Sequence, residues 1–264
     1  MAPDLTASSF KPARSPFLAY IKEAKYELLV LARRPVYLLA VFGYPVLFFC
    51  LFGIPNATRS IDHHSAMWYL VVAYTCLASM GVGFWGIGNK IAYARSHGRL
   101  DLKRAFPMPP SAFLFAKFSS GLCFSVAGTG LLLVIATISA PLYATTSQIV
   151  CLFLANIACA LVFSSFGTFL GLVLAGNSEG ISNIVYLLCA FCGGMMIPMP
   201  DLPHFMQKIA IIFPSYYCMQ LSQMAFGFSV SLHTLYLGGL MLFYFLFFGV
   251  LAVYMLNLKE SHRG

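Results

Sequence analysis

Long apolar stretches separated by short polar ones organise this chain. Six can be drawn, Val36–Ile54, Ala66–Gly88, Phe118–Ala140, Ile149–Leu174, Ile181–Ile197 and Leu235–Leu256, each close to the roughly 20 apolar residues that cross a bilayer as a helix. In hydrocarbon the backbone must satisfy its own hydrogen bonds, so such stretches predict helices. The segment before them is patterned differently. Phe17, Ile21, Ala24, Leu28 and Leu31 recur at helical spacing while Lys22, Glu23, Lys25, Glu27, Arg33 and Arg34 fill the remaining arc. This predicts an amphipathic helix over 16–34 lying in the membrane interface; a helix packed on a partner protein is the competing reading. Pro35 separates it from the first span, because proline disfavours helical geometry in the residue before it.

Residues 200–228 are too apolar for a plain loop, with Ile209, Ala210, Ile211, Ile212 and Phe213 in succession, and too short for two more crossings. With breakers at Pro198, Pro200, Pro203 and Pro214, they predict a re-entrant or interfacial helical hairpin, its turn shielded by protein or a water-filled vestibule. An interfacial loop with one short helix is the simpler alternative. The fold class is therefore all-α integral membrane: six transmembrane helices, an N-terminal amphipathic interfacial helix and an extracytoplasmic re-entrant hairpin after the fifth span. The expected units are a flexible cytoplasmic tail (1–15), a connecting helix (16–34), a six-span domain (35–257) and a cytoplasmic tail (258–264).

Composition agrees. Of 264 residues, 60% are hydrophobic and 9% charged, against roughly 25% charged in soluble domains, and the mean hydropathy is +0.83. A soluble globular protein is excluded. The net charge of +8 could suggest nucleic acid, but twelve of the sixteen lysines and arginines lie before the first span or after the second, as a membrane surface requires. Grouping alternate loops puts fourteen of the sixteen on the side of the termini, which predicts cytoplasmic termini. No secretory signal peptide is expected, since residues 1–16 are polar and basic.

Candidate chemistry is sparse. Eight cysteines sit mostly within apolar stretches, and the C-x-x-C pair Cys189 and Cys192 lacks the βαβ context or second pair that would make it redox-active or zinc-binding. Both read as packing residues. His63 and His64 beside Asp62 lack zinc spacing and read as a solvated loop, so no metal site is expected. No span holds a clear internal charge, because Lys117 and Glu179 fall at predicted ends. That argues against a self-contained ion-coupled carrier. There is no G-x-S-x-G elbow and no G-x-x-x-x-G-K-[ST] loop; if nucleotide energy is used, another polypeptide binds it. Gly167 and Gly171, near Ser164 and Ser165, form a G-x-x-x-G pattern that suits either a subunit or gate interface or packing within one subunit. The aromatic run from Phe243 to Phe248 is expected to face lipid.

The most informative stretch is the basic connector from Lys90 to Lys117, KIAYARSHGRLDLKRAFPMPPSAFLFAK. Its Gly98, Leu100, Asp101, Pro107 and Lys117 resemble the cytoplasmic segment of type-two ATP-binding-cassette permeases. A second stretch, GGMMIPMPDLPHFMQKIAIIFPSYY, resembles the same family at Gly193, Gly194, Pro198, Leu202, Pro203 and Pro214. In order and spacing the resemblance covers nearly the whole chain. One place departs: where the family commonly has an acidic residue shortly before the loop glycine, this chain has Arg95, Ser96 and His97. A partner with a more acidic docking surface would complement it.

The resemblance implies the membrane subunit of an ATP-driven exporter in the bacterial inner membrane. Two permease copies would pair with cytoplasmic ATP-binding-cassette ATPase subunits, which would bind MgATP; this chain would bind no cofactor and have no ATPase site. Coupling to the ATPase would fall on Arg95, Gly98, Arg99, Leu100, Asp101, Phe106 and Pro107 within the loop 90–117. Tyr69, Tyr74, Phe84, Tyr186 and Met195 are candidates for a substrate path, apolar and aromatic without fixed charge, suiting a lipophilic or amphipathic cargo such as a drug, lipid or glycan-lipid. Pro198, Leu202, Pro203 and Pro214 would frame the external gate. The rival reading is an ATP-independent channel or carrier whose basic loop binds anionic membrane lipid. A membrane enzyme lacks an assembled nucleophile and base.

Overall fold

A computed structural model describes residues 16–57, 59–61, 64–97, 110–139, 144–174, 178–230 and 232–261. Among the described residues nine helices follow one another: α1 (Pro16–Ala32), α2 (Pro35–Gly53), α3 (Ala66–Ser96), α4 (Pro110–Ser139), α5 (Thr146–Val173), α6 (Ser178–Cys192), α7 (His204–Ala210), α8 (Pro214–Ala225) and α9 (Thr234–Ser261). A two-residue antiparallel ladder pairs Ser60 with Ser65 and Ile61 with His64 before α3. Five helices, α2, α3, α4, α5 and α9, are long and apolar enough to cross a membrane.

The fifth predicted span is shorter than its hydropathy suggests. Helix α6 stops at Cys192, where Gly194 takes φ +72° and the Met195 and Gly194 amides bond to the carbonyls of Ala190 and Phe191 at 3.1 Å each. This left-handed glycine cap ends the helix five residues before Ile197. The 15 residues of α6 reach about 22 Å, short of the roughly 30 Å hydrocarbon core.

Other boundaries moved for local reasons. Arg34 is extended (φ −102°, ψ 99°) ahead of Pro35, which starts α2, as the proline rule requires. Pro45 cannot donate to a preceding carbonyl, and the turn before it widens, Tyr44 N–H reaching Leu39 O. Helix α3 continues through Lys90 to Ser96, burying Ile91 and Ala92, and α4 starts at Pro110. The predicted connector 90–117 is thus helical at both ends.

Helix α1 corrects the reading of its faces. Leu31 is buried and Ala24 and Leu28 are half-buried, but Ile21 is exposed while Glu27, assigned to the polar arc, turns inward. Two lysines await it there.

Two helices, α7 and α8, joined at residues 211–213, make up the predicted hairpin segment. Contacts hold it at both ends of α8. At the 211–213 turn, the Tyr244 hydroxyl of α9 donates to Ile212 O at 3.1 Å; Tyr244 lies about 15 Å along α9 from Thr234. At the far end of α8, Phe226 stacks on Trp68 (ring centroids 4.5 Å apart) and its carbonyl accepts from Gln148 Nε2 at 3.4 Å, beside the first turns of α3 and α5. Between them Cys218 and Cys159 pack side by side, with Cys218 Sγ 3.6 Å from Met241 Sδ. Helix α8 therefore packs among α3, α5 and α9.

Helix α3 runs through the centre, and all its residues from Ala66 to Gly81 are buried. It crosses α5 at backbone contact. A Cβ at Gly83 would strike the Phe163 carbonyl, one at Gly167 the Gly83 carbonyl, one at Gly171 the Gly88 carbonyl, and one at Gly88 would lie 2.8 Å from Gly167 O. The Gly167/Gly171 pattern thus packs two helices of the same subunit.

Candidate functional site

At the α1 end of the bundle, one carboxylate holds three helices. Glu27 Oε1 of α1 accepts from Lys117 Nζ of α4 at 2.6 Å and from Lys90 Nζ of α3 at 3.0 Å. The lysines stand at the two ends of the predicted coupling connector, so Glu27 clamps both its flanks. Burial alone would raise the Glu27 pKa; the adjacent Lys117 ammonium, then Lys90, outweigh it and hold the carboxyl below its ordinary value. Lys117, 5% exposed, is the most deeply buried cation among the described residues, which only such a partner makes tolerable.

Of the predicted coupling residues, Arg95 lies in the last turn of α3, its Nε buried without a hydrogen-bond partner. His97 closes that helix, its ring 4.0 Å from Tyr93. Gly98, Arg99, Leu100, Asp101, Phe106 and Pro107 lie outside the described residues, as do Asp62 and His63.

The five path candidates are all buried within the chain. Phe84 and Tyr186 meet edge to face at 5.8 Å, and Tyr186 packs on Trp85 at 4.4 Å. Tyr74 lies against Phe48 and Phe49. Tyr69 donates to Gly194 O at 2.8 Å, beside the fully buried Met195 and the hairpin. The structure thus brings Phe84 and Tyr186 together, keeps Tyr69 and Met195 at the hairpin, and makes Trp85 and Tyr44 the half-exposed edge of the aromatic cluster. Of the gate residues, Pro198 and Pro203 precede the short 199–201 turn and α7, Leu202 is buried, and Pro214 starts α8.

Composition also concealed a polar knot in the core. Asn156 of α5 donates to Thr75 Oγ1 at 3.2 Å and accepts from Ser79 Oγ at 3.2 Å, and Ser79 and Ser125 hydroxyls lie 2.6 Å apart. It ties α3, α4 and α5 together with its polar atoms paired. A lone asparagine inside a span was the available signal, since such residues are costly unless partnered. All eight cysteines are free, and no group of three or more His, Cys, Asp or Glu gathers among the described residues.

A cavity of about 1120 Å³ opens beside the clamp, between α1, the start of α2, the end of α3 and the start of α6. Its walls combine Glu27, Lys90 and Lys117 with Arg33, Arg34 and the apolar faces of Val36 and Trp85.

Comparison with known proteins agrees with this architecture. The profile described as ABC-2 type transporter matches residues 23–227, from α1 through the hairpin. The chain is also similar to a Bacillus subtilis (strain 168) protein named "Putative transport permease YvfS", 25% identical over 197 residues that cover 74% of this chain and 80% of that protein. With its apolar spanning helices this is a multi-pass membrane protein, and the chain belongs to the ABC-2 type transporter family as a membrane permease subunit.

Proposed function

We propose that this subunit exports a lipophilic or amphipathic molecule, driven by MgATP hydrolysis on a separate ATPase subunit. Family membership implies an ATP-binding-cassette ATPase partner. The observation that carries the reading further is the Glu27 clamp on Lys90 and Lys117: a push on the connector between them reaches α1, α3 and α4 at once. Arg95, Gly98, Arg99, Leu100, Asp101, Phe106 and Pro107 are the docking residues. Two copies form the transporter. The path runs along the aromatic cluster of Tyr44, Trp85, Phe84 and Tyr186, with Tyr74 behind it and Tyr69 and Met195 at the exit. Packed helices transmit such motion because their interfaces have discrete arrangements.

In this reading α6 and the residues after it make a sixth, thin crossing, and α7–α8 is a re-entrant gate framed by Pro198, Leu202, Pro203 and Pro214. Two features favour it: the hairpin turn lies deep beside Tyr244, and Ile211 and Ile212 there are 53% and 71% exposed, which suits lipid or a second subunit. The lysine and arginine distribution supports a reading with both termini on the cytoplasmic side of the inner membrane.

The test is affinity purification of the chain in mild detergent, with identification and assay of the ATPase that accompanies it. Recovery of an ATP-binding-cassette ATPase, lost from a Leu100→Asp, Phe106→Asp variant that still purifies as folded protein, supports the reading. Transport by vesicles containing the chain alone, indifferent to ATP, replaces it with the channel or carrier.

A further inference from the structure

The cavity beside the Glu27 clamp has features that packing does not require. Four cations, Arg33, Arg34, Lys90 and Lys117, face one carboxylate, and Arg33 and Arg34 have no carboxylate partner among the described residues. Tyr37 and Asn89 also line it, but their side-chain oxygens are closed to the cavity, the Tyr37 hydroxyl packing against Gly86 of α3. Below the polar end, the wall continues onto the outer face of α2, where Val36 and Leu39 are 79% and 68% exposed.

We infer that this cavity binds the phosphate headgroup of an anionic membrane lipid, with Arg33 and Arg34 pairing the phosphate and the acyl chains lying along Val36 and Leu39. Charge decides the class of ligand, because an excess of cations beside an apolar wall suits an anionic head on a hydrocarbon tail. A zwitterionic lipid would place its own ammonium among these cations. The volume of about 1120 Å³ exceeds what a phosphate alone fills, leaving room for glycerol and the upper chains. The inference rests on the proposed orientation only for which leaflet supplies the lipid.

The chain has two tryptophans: Trp68 stacked on Phe226 at the hairpin end, and Trp85 in the cavity wall. A Trp68→Phe background therefore leaves a reporter in the site. The full chain in phosphatidylcholine nanodiscs would receive increasing fractions of phosphatidylglycerol or phosphatidylcholine brominated near the headgroup, and quenching of Trp85 fluorescence would be read. The expected result is half-quenching at a roughly tenfold lower fraction of the brominated phosphatidylglycerol. That preference should fall to about twofold in Arg33→Gln, Arg34→Gln. Arg34→Gln alone should lose about half of it, and covers the case in which the double variant misfolds. Equal quenching by both lipids, or a preference untouched by both variants, overturns the inference. Loss of the preference in millimolar inorganic phosphate reassigns the site to free phosphate and overturns the lipid. None of these readouts needs the ATPase, so failure here is distinguishable from failure of the transport reading.

Discussion

Helices α3 and α9 are both long, apolar and rich in glycine and aromatic residues, yet 89% of the apolar stretch of α3 is buried within the chain against 22% for α9. Gly83 and Gly88 of α3 let its backbone touch that of α5, whereas Gly238, Gly239 and Gly249 of α9 have nothing within 4 Å. Helix α3 places Thr75 and Ser79 on the α5 amide Asn156 and ends in Lys90 on Glu27. The outer face of α9 presents large side chains, with Phe243, Leu246 and Val250 all more than half exposed. In a membrane, hydropathy selects what enters the bilayer; small residues and paired polar groups select what lies inside the protein.

The comparison breaks most sharply at the backbone contact. Gly83→Ala, which drives a methyl into the Phe163 carbonyl, should cost about 3 kcal/mol, read as reversible unfolding in detergent; a neutral outcome would mean that the α3–α5 crossing is looser than described. Next, Glu27→Gln leaves Lys117 buried without its counter-charge and should cost about 2 kcal/mol. The same pair predicts a pH dependence. Because the folded carboxyl is held below its unfolded value, its contribution is complete above about pH 4.3 and disappears as pH falls through the lower, folded pKa. Comparing wild type with Glu27→Gln across that window should reveal an acid-sensitive difference, and parallel profiles would refute the clamp.

Asn156→Ala releases Thr75 and Ser79 at once and should cost about 1 kcal/mol, since unfolded helices in a membrane find other polar partners. The smallest effect belongs to α9. Gly239→Ala, in open space, should change stability by less than about 0.5 kcal/mol. A cost matching that at Gly83 would place α9 against a further surface, such as a second subunit.

By itself the sequence determined that the chain is helical and multi-pass, because long apolar segments have few other ways to satisfy their backbones in lipid. It located the break at Pro35 and the helical character of the 200–228 segment from proline positions and apolar runs, and its motifs carried the family. Tertiary structure decided what periodicity does not encode. Glu27 looked like a surface residue of an amphipathic helix because its partners, Lys90 and Lys117, lie 63 and 90 positions away. That Phe84, Tyr74 and Tyr186 are buried within the chain, with Trp85 and Tyr44 at the half-exposed edge of their cluster, was not legible because hydropathy is silent about which apolar face meets protein and which meets lipid. The end of α6 at Gly194 was hidden for a similar reason: an apolar run continues through a helix cap as readily as through a helix, and only the backbone turn tells them apart.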